Sequence, residues 1–177
     1  INPEWLPGGF VGVDIFFVIS GFLITSIIVR ELENNTFSIK AFYTRRIRRI
    51  LPVYFSVAFF VLVFGTLFFF PDDLVALARS LLSSSMFVSN YYFWLTSGYF
   101  SKAVELSPLI HTWLLSVEEQ FYIFWPLCLL VLFSPSFVKF RHLSVLLIFS
   151  LSLVVSIVLS ESHPDFAYYS IFTRTYE

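Results

Sequence analysis

His111, Glu118 and Glu119 are the residues of this chain best suited to proton chemistry, and they fall within nine positions of one another. On a helix, His111 and Glu118 share one face, and Glu119 lies with Leu115, Ser116 and Tyr122 on the adjacent one. Two neighbouring carboxylates in a low-dielectric region do not both ionise easily. One is therefore expected to keep its proton to higher pH, which suits general acid or base work near neutrality. The plainer alternative is that both acids pair with an arginine of another helix and only fix packing. A metal site is not expected, because these side chains lack the paired-histidine spacing of helical zinc motifs. Neither a strand-borne serine elbow nor a glycine-rich phosphate loop is legible.

Asp14 and an arginine cluster are the other chemical features. Asp14 lies near the start of an apolar run, and helical spacing puts Val18, Gly21 and Thr25 on its face, a small and polar stripe suited to close packing. It reads either as a structural carboxylate holding a neighbouring helix or as part of a site, the default for an acid inside a membrane. Arg45-Arg46-Ile47-Arg48-Arg49 comes just before Pro52, which is expected to open the next apolar span at a position proline favours. The cluster reads as a topology signal drawn to anionic headgroups. With Phe42 and Tyr43 as ring faces beside the guanidinium forks, it equally suits the phosphates and base of a nucleotide-like ligand.

The elements that must position these groups follow from composition. Of 177 residues, 58% are hydrophobic, 21% aromatic and 13% charged, with 24 Phe, against roughly 25% charged in an ordinary soluble domain. A soluble globule is excluded, as is disorder, which needs few aromatics and high net charge. Cys128 is the only cysteine, so no intrachain disulfide scaffold exists. The net charge of −1 gives no field that argues for nucleic acid. No basic n-region opens the chain, so a secretory signal is not expected, and an upstream portion is expected to precede Ile1.

Crossing a hydrocarbon core takes about 20 mostly apolar residues, and four stretches qualify: Phe10 to Val29, Val53 to Phe70, Leu114 to Phe133 and Leu143 to Ser160. Leu74 to Leu95 is marginal, with Arg79 and five serines in an apolar helical pattern; it could span, re-enter or lie at the interface, and the charge count of the flanking loops favours a non-spanning or partly inserted segment. The fold expected is all-α, a polytopic transmembrane helix bundle occupying 1–177. Six basic residues against two acids place Arg30 to Leu51 in the cytoplasm, and Lys139 with Arg141 place Ser134 to His142 there too. Asp14 then lies near the outer side, and Tyr168-Tyr169 fit an interfacial aromatic belt.

Four blocks give the chain a family resemblance. Gly8-Gly9-Phe10-Val11-Gly12-Val13-Asp14-Ile15-Phe16-Phe17-Val18-Ile19-Ser20-Gly21-Phe22-Leu23-Ile24-Thr25 is the first. Phe42-Tyr43-Thr44-Arg45-Arg46-Ile47-Arg48-Arg49-Ile50-Leu51-Pro52 is the second. His111-Thr112-Trp113 with Ser116-Val117-Glu118-Glu119-Gln120-Phe121-Tyr122 is the third, and Thr173-Arg174-Thr175-Tyr176-Glu177 the fourth. Together they resemble the acyltransferase-3 family of integral-membrane O-acyltransferases. Leu114 stands where that family usually has Ser, and Thr175 and Tyr176 stand where it has Ala and Trp.

The resemblance implies transfer of an acyl group, typically acetyl, from acyl-CoA to a hydroxyl of a cell-surface carbohydrate or lipid-linked glycan, in a bacterial inner membrane. Acyl-CoA would be a donor substrate, with no permanently bound cofactor. Tyr43, Arg45, Arg46 and Arg49 would face its phosphates, and Arg174 would bind substrate. Glu118 and Glu119 would orient a catalytic histidine carried on a preceding helix, while His111 and Asp14 would shape the cavity. The sequence is thus expected to be the N-terminal part of a longer enzyme, inactive alone. Reading the buried acids without the resemblance leaves two other classes: a proton-coupled transporter or flippase, and a non-catalytic membrane scaffold.

Overall fold

Every regular element is helical in the computed structural model, which describes residues 11–97 and 107–176. The starts of the first block and span, Gly8, Gly9 and Phe10, lie outside the described residues, as does Glu177. Helix α1 covers Val11–Glu33, α2 Ile39–Phe68, α3 Pro71–Ser85, α4 Ser89–Ser97, α5 Thr112–Leu132, α6 Arg141–Ser162 and α7 Pro164–Tyr169. A short 3₁₀ turn at Val138–Phe140 leads into α6. Among the described residues, four helices are long and apolar enough to cross a membrane: α1, α2, α5 and α6. They contain the four expected spans, apart from the residues outside the description and Phe69, Phe70 and Phe133, which fall just beyond their helices.

One boundary differs from expectation. Pro52 does not open a helix; α2 begins at Ile39 and carries Arg45 to Arg49 on its own turns, with Pro52 in its interior. The stop that charge counting imposes is a property of hydrocarbon, not of the backbone. Helical hydrogen bonding is indifferent to exposed guanidinium groups, and Ser38 supplies the start by accepting from the Ala41 amide at 3.4 Å. The marginal segment breaks in two. At about 1.5 Å per residue, α3 with 15 residues and α4 with 9 are too short to span. Between them Phe87 adopts a left-handed φ of 54°. Its amide bonds Ser84 O and that of Val88 bonds Ser83 O, the paired closure of a Schellman motif without the usual glycine.

The chain divides into two compact units, residues 1–36 with 118–177 and residues 37–117. In the second of these, Gly65 of α2 lets α3 approach so closely that an added Cβ would lie 2.3 Å from Leu77 Cδ2. The Tyr54 hydroxyl bonds Leu81 O and Ser85 Oγ, both at 3.0 Å. A hydroxyl cluster joins α3, α4 and the start of α5: Ser84 to Thr112 at 2.7 Å, Thr112 to Ser89 at 3.1 Å and Ser89 to Ser116 at 2.7 Å. Side-chain hydroxyls used this way hold helices together where hydrocarbon offers no hydrophobic drive.

In the first unit, α1 buries Phe17, Ile24 and Ile28, so the packed face runs through these positions, and Val18 points outward at 46% exposure. Trp125 Nε1 donates to Thr25 Oγ1 at 2.7 Å, and the Trp125 ring stacks on Phe121. Tyr169 is buried rather than belt-like, because α7 folds against α6 and puts that ring inside. Along α6, Leu146, Leu147, Leu151, Val154, Ile157 and Val158 are exposed, the outward apolar surface a bilayer requires.

Candidate functional site

Glu118 and Glu119 stand one turn inside α5, which begins at Thr112. Tyr122, four residues on and therefore on Glu118's face, donates its hydroxyl to Glu118 Oε1. With that proton committed, the 2.8 Å contact between Tyr122 and Ser20 of α1 is read with Ser20 donating. Ser20, Tyr122 and Glu118 thus form one chain of hydrogen bonds, and Tyr122 is almost fully buried. Glu119 points inward, 9% exposed. The adjacent acids therefore take different surroundings, as successive helical positions must.

His111 is exposed and sits in the turn that precedes α5. The face it was expected to share with Glu118 is thus not wholly helical, because its own residue is outside the helix. His111 belongs to the 37–117 unit and the two acids to the other.

Asp14 meets Arg174. Nη1 of Arg174 donates to Asp14 Oδ1 at 2.6 Å, and its Nε donates to Tyr168 O at 3.2 Å. The guanidinium also lies over two rings, 5.6 Å from the Phe17 centroid and 5.2 Å from that of Tyr168. Arg174 itself lies in turns after α7 rather than on a helix, held by the Thr173 hydroxyl bonding Ser170 O and by Ser152 Oγ, which donates to Phe172 O and accepts from the Tyr176 amide. A cavity of 230 Å³ opens beside the pair, with Asp14 and Arg174 in its wall.

The arginine cluster projects from the first turns of α2. Phe42 is buried as an anchor, Tyr43 lies edge-on to it at 5.4 Å, and Arg46 lies over its ring at 5.8 Å. Arg45, Arg48 and Arg49 are exposed, and helical spacing puts Arg45 and Arg49 one turn apart on the same face. The four guanidinium groups thus cluster within two turns of α2, with Arg45 and Arg49 on one face and Arg46 turned toward Phe42.

Sequence reasoning missed three residues of these sites. Ser20 gives no signal, because its partner is 102 positions away; Phe17 and Tyr168 matter only through the guanidinium between them. Tyr122 was legible only as a neighbour of Glu119, although its four-residue offset from Glu118 marks the bond.

A family model described as an acyltransferase domain matches residues 2–173. An uncharacterized protein of Haemophilus influenzae is 43% identical over 141 residues, covering 80% of this chain and 56% of that protein. The peptidoglycan O-acetyltransferase OatA of Listeria monocytogenes is 36% identical over 184 residues, covering 100% of this chain and 29% of that protein. The chain thus spans just over half the length of one relative and under a third of the other. No solved structure matches it. With the match running through the Asp14, arginine and double-glutamate blocks and ending at Thr173, the chain belongs to the acyltransferase-3 family.

Proposed function

We propose that the whole protein is an integral-membrane O-acyltransferase that moves an acetyl group from acetyl-CoA to a carbohydrate hydroxyl of the bacterial cell envelope, acting in the inner membrane. The observation that carries this reading is the Ser20–Tyr122–Glu118 chain beside the inward Glu119, built on a matched block of the family. One relative is named for peptidoglycan O-acetylation, which favours a glycan acceptor.

In the reaction the acceptor oxygen attacks the thioester carbonyl carbon. A C–O bond forms and the C–S bond breaks, and the hydroxyl proton passes to a base and then to the leaving thiolate, giving ester and free CoA thiol. The family resemblance gives the base role to a histidine on a preceding helix. Glu118, one oxygen fixed by Tyr122, and Glu119 orient that base and balance its positive charge. Arg45, Arg46 and Arg49, with Tyr43, hold the donor's phosphates, for which guanidinium forks are suited.

The test uses the full-length protein in membranes with acetyl-labelled acetyl-CoA. Label should enter envelope glycan, and Glu118→Gln and Glu119→Gln should each abolish it while the protein still accumulates. Full activity in both variants removes the catalytic role, and solute movement without thioester consumption would point to a transporter instead.

A further inference from the structure

The cavity beside Asp14 and Arg174 has the chemistry of a site for a neutral polyhydroxyl ring. Its wall includes Ser156 and Ser160 of α6, Tyr168 of α7 and Tyr176 beyond it. Among the described residues that line it, Arg174 is the one cation and Asp14 the one anion, and they are bonded to each other at 2.6 Å. That described wall is therefore neutral in sum, and a phosphate approaching the guanidinium would meet the Asp14 carboxylate beside it. What the wall offers instead is hydroxyl groups, each able to donate and to accept, the complement of a sugar's own hydroxyls. Tyr168, with Arg174 over one side of its ring, and Tyr176 add aromatic surface to the wall, to which the apolar C–H surface of such a ring is suited.

Size and position agree. At 230 Å³ the cavity is below the ~300–1,000 Å³ of sites for drug-sized ligands, a size that matches one sugar ring. Ser152, Ser156 and Ser160 recur every fourth residue along α6 and share a face. Ser152 is used in stitching Phe172 and Tyr176 to α6, which holds the Tyr176 backbone at the wall. Asp14 is in the first turn of α1 and Arg30 in its last, about 24 Å apart by helix rise. Positive-inside counting puts the Arg30 end in the cytoplasm, so the cavity is at the outer end, away from a cytoplasmic donor.

We infer that this cavity is the subsite for the sugar ring that presents the accepting hydroxyl, with Ser156 and Ser160 reading its hydroxyl pattern and the Asp14–Arg174 pair closing its wall. The inference rests on the O-acyl-transfer reading above.

The test takes the full-length protein in detergent with chitobiose as the sugar probe and CoA as the donor probe, read by saturation-transfer NMR, alongside acceptor and donor KM. Ser156→Leu and Ser160→Leu, which fill the cavity, should abolish sugar saturation and raise acceptor KM at least about tenfold, leaving CoA signals and donor KM unchanged. Ser156→Ala and Ser160→Ala remove one hydroxyl without adding bulk; they keep the test valid if the larger variants fail to fold, and each should raise acceptor KM roughly 2- to 10-fold. Unchanged sugar saturation and acceptor KM across the set overturns the subsite, as does a donor KM that rises in step. A wild-type protein that binds chitobiose through these serines yet consumes no acetyl-CoA would sink the transferase reading and leave the sugar site standing.

Discussion

Arg174 reaches across 160 positions of chain to place its Nη1 2.6 Å from Asp14 Oδ1, with the arginine side chain 11% exposed and the aspartate 48%. The exposures differ, so the two ends of the bond are not equivalent. Removing the aspartate takes the carboxylate from a guanidinium that is nearly enclosed, whereas removing the arginine leaves a carboxylate that water reaches.

Asp14→Asn is accordingly expected to cost about 1–3 kcal/mol, the penalty for depriving a buried charge of its charged acceptor. Arg174→Gln removes the same bond and also the contacts over Phe17 and Tyr168. A double-mutant cycle read by thermal unfolding in detergent should give a coupling of ~1 kcal/mol, and purely additive effects would show that the pair does not bind the termini of this unit together.

Tyr122→Phe deletes only the hydroxyl that bridges Ser20 to Glu118. Stability should fall by about 1–2 kcal/mol, and acetyl transfer by the full-length protein should fall at least roughly tenfold in kcat with little change in donor KM. Ser20→Ala, one bond further from the carboxylate, should have a smaller effect on rate. Equal effects of the two variants, or none, would contradict the order of the chain.

Gly65→Ala puts a methyl into space that Leu77 Cδ2 already fills at 2.3 Å, and Leu77 is buried. The expected loss is about 1–3 kcal/mol from overpacking, measured as reduced resistance to unfolding in detergent. Adding Leu77→Ala should recover part of it, because the methyl then occupies volume the leucine vacated; a double variant worse than the sum would mean the clash is with backbone.

Ser116→Ala breaks two bonds at once, since Ser116 Oγ meets both the Ser89 hydroxyl at 2.7 Å and the Ser89 amide at 3.2 Å. Interhelical hydroxyl contacts in membranes are worth roughly 0.6–1.7 kcal/mol, so a loss in that range is expected, with Ser84→Ala at the low end because its hydroxyl also bonds Ser80 O within its own helix. Hydrogen exchange at the Ser89 amide offers a direct readout, and should quicken in Ser116→Ala alone.

The spanning helices were legible because apolar length is a property of the sequence itself, and α1, α5 and α6 begin and end within a few residues of their apolar runs. The start of α2 was not, because counting charge locates where hydrocarbon stops and says nothing of where the backbone stops coiling; Ser38 marks the true start. The break in the marginal segment carries no glycine or proline, so Phe87 in a left-handed conformation had no signal at all. Glu118, Glu119, Asp14 and Arg174 could be picked out one by one from residue type and resemblance. That Asp14 and Arg174 are partners could not, since pairing over such a distance is decided by how α1, α6 and α7 pack.

The unbroken α2 has a mechanical consequence. Its 30 residues make a rod about 45 Å long, some 15 Å more than the hydrocarbon core it crosses. The surplus is the arginine-bearing end, joined to the span through Pro52, which has no N–H to bond Arg48 O, so the guanidinium groups are mounted on a helical extension and not on a loose connection. The donor phosphates proposed to bind there would meet a backbone already ordered by helical hydrogen bonds. Their binding is spared the roughly 1–2 kcal/mol per residue that fixing a flexible loop would cost.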